Sequence, residues 1–104
     1  MKQYKILTRC ETLGPLSYNG IIVEEVSGRP FPKDDRFFAY KNATDNKIYL
    51  VDIESGLALG YTKRWKDIED MVYLPRIEAY EKYIQTPQYK KKVQDFAQLK
   101  EISL

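Results

Sequence analysis

At 104 residues the chain has the length of one domain with a single modest core. Its formal charge of +2, from 17 basic and 15 acidic residues, excludes a protein that coats nucleic acid by bulk charge, so any such binding has to come from a local patch. One cysteine, Cys10, and no histidine exclude an intramolecular disulfide and a Cys/His zinc site, and no cofactor is expected.

The pattern predicts strands over residues 3–9, the first of them an edge, and over 21–26, separated by the turn dipeptides Gly14-Pro15 and Asn19-Gly20. A loop stiffened by Pro30 and Pro32 is expected over residues 27–35. Strands then follow over 36–41 and 47–53, joined by the polar turn 42–46. In the second of these Ile48, Leu50 and Asp52 point one way, and Tyr49, Val51 and Ile53 the other.

Glu54-Ser55-Gly56 turns the chain into a fifth strand over 57–61. Leu57, Leu59 and Tyr61 are its expected inner face, and the small Ala58 and Gly60 opposite predict close packing there. At Thr62, read as an N-cap, the period becomes helical, with Trp65, Ile68, Met71 and Val72 as the inner stripe. Leu74-Pro75 ends or kinks that helix. A second stretch follows to about residue 85, with Ile77, Tyr80 and Ile84 inward. Thr86-Pro87 starts a third, whose stripe is Tyr89, Val93, Phe96 and Leu99 or Lys100. Strands followed by helices predict a single α+β domain over residues 1–104: a small antiparallel sheet of three to five strands, then two or three C-terminal helices.

No stretch approaches transmembrane length and residues 1–10 lack a signal-peptide run, so a cytoplasmic protein without a membrane partner is expected. Without histidine, Cys10 and the serines lack the usual general base, and no catalytic residue is assigned. Three carboxylate groups remain for a metal-dependent nuclease: Asp34 with Asp35, Asp52 with Glu54 on one strand face, and Asp67 with Asp70 one helical turn apart.

The best candidate is Lys63, Arg64, Trp65 and Lys66. Cations at a helix start oppose the macrodipole, a local rule broken in a way that suggests an anionic partner. Free N–H groups there would grip a phosphate, and Trp65 would stack a base if exposed. The alternative puts Trp65 in the core stripe and pairs the cations with Asp67, Asp70 or Glu54. Lys90, Lys91 and Lys92 form a second basic run, read either as a binding patch or as a solvated helix face.

Residues 47–72, with Gly60, Lys63, Arg64 and Lys66, resemble the hairpin-plus-helix unit of double-stranded-RNA-binding domains and of the arm-binding domains of phage-type integrases. As a short, nearly neutral, Tyr- and Lys-rich α+β chain, the whole is similar to accessory proteins of phages and plasmids, among them the anti-CRISPR inhibitors of Cas9. That resemblance implies a non-enzymatic protein that inhibits a Cas9-type nuclease by blocking its guide RNA or nucleic acid, with a protein partner and RNA or DNA contact as the expectation. A direct nucleic-acid-binding module is the alternative and a carboxylate-metal nuclease the third reading.

Overall fold

The computed structural model describes residues 2–9 and 21–103, so Cys10 and the two turn dipeptides after it lie outside the described residues. Five strands, β1 (Lys2–Arg9), β2 (Ile21–Pro30), β3 (Phe37–Lys41), β4 (Ile48–Asp52) and β5 (Ala58–Thr62), pair in sequence order with every neighbour antiparallel. The helical layer comes next: a 3₁₀ turn (Trp65–Asp67), a π-helix (Ile68–Tyr73), α1 (Leu74–Tyr83) and α2 (Pro87–Ser103). This is the α+β order expected from strands first and helices afterwards.

Strict alternation in β3 and β4 builds two cores. Phe37, Ala39, Ile48 and Leu50 face the helices and pack with Ile68, Val72 and Tyr80. Phe38, Tyr40 and Val51 face the other way and are covered by the first hairpin through Ile6 and Tyr4, whose ring stacks on Phe38 with centroids 3.9 Å apart. The hairpin can reach that face because β2 joins β3 through two residue pairs alone, Arg29 with Ala39 and Pro30 with Phe38. Each fully buried Phe, Leu or Val of these cores contributes roughly 1.5–3 kcal/mol.

β2 extends to Pro30, so the expected loop shrinks to residues 31–36. β5 carries a bulge. Leu50 pairs with Gly60 but Val51 pairs with Ala58, leaving Leu59 as the extra residue. Leu59 therefore joins the helix-side core while Gly60 also faces the helices, where an added Cβ would lie 3.0 Å from Val72 Cγ1. The close packing expected at Gly60 is present. Tyr61, expected inward, is instead thrown to the opposite face and is 53% exposed.

The helical boundary also differs. Thr62 ends β5 and caps nothing; the chain stays extended through Arg64 (φ −130°, ψ 141°) before the 3₁₀ turn. Pro75 governs the winding from there. It has no N–H to offer the carbonyl of Met71, which is met instead by Arg76 Nη1 at 2.9 Å, and the Leu74 N–H reaches back five residues to Glu69. The wide turn displaces the expected stripe: Ile68 and Val72 are buried, but Met71 is 61% exposed. At the next boundary Thr86 is the cap expected, accepting from the Tyr89 N–H at 3.3 Å ahead of Pro87.

Candidate functional site

The corner where β5 leaves the sheet brings basic and aromatic side chains together. On the face turned away from the helices, Tyr61 packs on Tyr49 and carries Lys47 Nζ 4.4 Å from its ring centroid. On the helix face, half-buried Trp65 packs on the core and carries the Arg29 guanidinium 4.1 Å above its ring. Pairing of Arg29 with the inward Ala39 is what aims Arg29 at Trp65. Residues 61–66 join the two pairs around the end of the sheet.

Within that strip Arg64 donates to Asp67 Oδ2 at 2.9 Å, so this cation is already matched by an acidic neighbour. Lys63 and Lys66 are exposed and form no ion pair among the described residues. The expected helix N-terminus is absent here, since a three-residue 3₁₀ turn has neither the aligned dipoles nor the fan of free N–H groups of an α-helix start. What the corner offers an anion is its side chains. Trp65 satisfies both alternatives in part, anchored to the core at one edge and accessible at the other.

Beside Trp65 lies a groove of about 330 Å³ walled by Phe31, Pro32 and Ile68, with Arg29, Lys66 and Glu69 at its polar edge. Arg29, Lys47 and Glu69 escape a sequence reading. Arg29 falls in what reads as a loop, and neither Lys47 nor Glu69 belongs to a motif.

Lys90, Lys91 and Lys92 are exposed in the first turns of α2, with Lys91 reaching Asp95 at 3.6 Å. The two basic groups are not brought together. Tyr89 anchors this run beside Asp52 at one end of β4, whereas Lys63 follows Thr62, which pairs with Ile48 at the other, about 13 Å away along the strand.

Of the carboxylates, Asp52 and Glu54 do not share a strand face: β4 ends at Asp52, which is 2% exposed, while Glu54 lies outside in the turn. Asp52 Oδ2 accepts from Tyr80 at 2.5 Å, Tyr89 at 2.6 Å and Ser55 at 2.9 Å, and Oδ1 accepts from the Glu54 N–H at 3.1 Å. Burial first, then the Asp52 carboxylate, pushes both tyrosine hydroxyls well above their ordinary value. The cluster is spent on its own hydrogen bonds and rivets α1 and α2 to the sheet.

Asp34 is likewise engaged, by Arg36 at 2.6 Å and by Tyr73 at 2.9 Å, and Arg36 continues to Glu81 at 2.7 Å. Among the described residues no three carboxylates, cysteines or histidines converge on a metal-sized site, and no helix is long and apolar enough to cross a membrane. No protein-family model, curated protein or solved structure matches this chain.

Proposed function

We propose that this chain is a non-enzymatic binding protein of a mobile genetic element that inhibits a host nucleoprotein, a Cas9-type nuclease in particular, by engaging RNA through its basic, aromatic corner. The observation that carries the reading is the strip from Tyr61 to Lys66. It combines two aromatics, each backed by a cation, with Lys63 and Lys66, which have no acidic partner among the described residues. Aromatic rings and interleaved cations are what a single strand needs, since bases stack on rings while phosphates meet the charges. Such nucleases hold guide RNA in a positively charged channel, and a cationic competitor acts by capturing the RNA before the channel does. The resemblance to small phage accessory proteins supplies the choice of partner.

The test is cleavage by a Cas9-type nuclease with the protein added before or after guide loading. Inhibition is expected when it is added before loading, and its loss in the Lys63→Glu, Lys66→Glu variant. Lack of inhibition in either order overturns the nuclease reading. The same cations favour a direct nucleic-acid-binding module as the second reading. Binding that weakens with salt by roughly 0.7 log units per log unit for each phosphate contacted on a single strand, without nuclease inhibition, assigns it.

A further inference from the structure

The groove beside Trp65 has chemistry that the phosphate-binding strip does not use. We infer that it is a pocket for one unstacked guanine base, with Glu69 reading the base's Watson–Crick edge; placing that base in RNA rests on the function proposed above. Size is the first argument. A volume of about 330 Å³ is at the lower limit of small-molecule sites and accommodates one base and its sugar. The walls are the second: Phe31, Pro32 and Ile68 are apolar, and Trp65 with the Arg29 guanidinium above it supplies a stacking surface.

Charge decides which base. Glu69 is the one carboxylate lining this groove, and it forms no ion pair among the described residues. An ionised carboxylate only accepts hydrogen bonds, and guanine alone among the four bases presents two adjacent N–H donors, N1–H and the 2-amino group, on its Watson–Crick edge. Adenine, cytosine and uracil each place a lone pair where the second donor is needed, and would set that lone pair against a carboxylate oxygen. On the remaining edge guanine offers O6 and N7, two acceptors suited to the Arg29 and Lys66 cations lining the same groove.

The experiment uses Trp65, the only tryptophan, as its reporter. The full chain is titrated with six-nucleotide single-stranded RNAs that differ only in one central base, and separately with GMP and AMP, following tryptophan quenching and fluorescence anisotropy. The guanine oligonucleotide is expected to bind at least about tenfold more tightly than the other three and to quench Trp65, the discrimination of one bidentate base contact. Glu69→Gln is expected to erase that preference by weakening the guanine oligonucleotide, while the adenine oligonucleotide binds as tightly as before or more tightly, since an amide meets adenine's adjacent donor and acceptor.

Equal binding of all four RNAs, or a guanine preference that survives in Glu69→Gln, overturns the pocket and leaves the phosphate contact standing. Quenching by GMP but not AMP, without RNA binding, upholds the guanine pocket and removes the RNA reading instead. No response to any RNA or nucleotide removes both.

Discussion

Tyr80 reaches out of α1 to donate a 2.5 Å hydrogen bond to Asp52 at the end of β4, and Tyr89 of α2 shares the same carboxylate oxygen at 2.6 Å. One buried acid thus holds both helices. Removing it in Asp52→Ala leaves the hydroxyls of Tyr80, Tyr89 and Ser55 without their acceptor and is expected to lower the unfolding free energy by about 3 kcal/mol or more. Tyr80→Phe withdraws one donor of three and is expected to lose roughly 1.5–3 kcal/mol. Urea unfolding measures both. An unchanged midpoint in Asp52→Ala would show that the cluster is dispensable to the fold.

Alkali acts on the same place. Burial and Asp52 raise the folded-state pKa of Tyr80 and Tyr89 above the ordinary 10.0, so the stability they confer is fully present below pH 10 and is lost as pH rises towards the folded values. Thermal melts are expected to hold steady through neutrality and decline above pH 10, and the Tyr80→Phe, Tyr89→Phe double variant to decline less steeply. Parallel curves for the two proteins would refute the assignment.

Gly56 adopts φ 71°, and a Cβ there would lie 2.8 Å from Phe96 Cε1 in α2. Gly56→Ala is therefore expected to cost about 2–4 kcal/mol, combining the left-handed backbone penalty with overpacking. Adding Phe96→Leu removes only the steric part. Denaturation of both single variants and the double variant should give a coupling of opposite sign to the single losses; strict additivity would mean that the ring does not obstruct the site.

Acid acts through Asp34. Hydrogen bonds from Arg36 hold its pKa down to about 2 from 3.8, so the stability it confers is present above pH 3.8 and is lost as pH falls through 2. Because Arg36 is 38% exposed, the amount is discounted to on the order of 1–2 kcal/mol. Arg36→Met is expected to lower stability at neutral pH and to shrink the fall between pH 3.8 and 2. An acid transition identical to that of the parent chain would argue against this clamp.

Arg29 shields one face of Trp65. Arg29→Ala is expected to shift tryptophan emission to the red and raise quenching by iodide, with little change in the thermal midpoint, since a partly exposed cation over a ring stabilises by only about 0.5–1 kcal/mol. Unaltered emission would place the guanidinium elsewhere in solution.

Much of this architecture is legible in the residues. Alternation along Ile48, Tyr49, Leu50 and Val51 assigns both faces of β4 correctly, because a side-chain period of two leaves no other solution once one face is apolar. Thr86-Pro87 marks the start of α2 for an equally local reason.

Departures from period are harder to read. The bulge at Leu59 reverses the direction of Tyr61, and the π-helix moves Met71 outward; Pro75 marks where the winding departs from regularity but not that it widens. Asp52 reads as a partner of Glu54 in a carboxylate pair because its hydroxyl donors on α1 and α2 lie 28 and 37 residues away. Lys63 and Lys66 are legible as a basic group, but Arg29, Lys47 and Glu69 join the corner only through β-pairing and packing.

The wide turn ahead of Pro75 also bears on the helix that follows. Its surplus residue is absorbed in the wider winding, so the helix beyond it keeps nearly the angle that one residue fewer in ordinary winding would give. Excising a single residue between 68 and 73 would restore ordinary winding and leave α1 facing almost as it does now, with the Tyr80 hydroxyl still on its acid, whereas the same excision within α1 ahead of Tyr80 would swing that hydroxyl by about 100° and away from it.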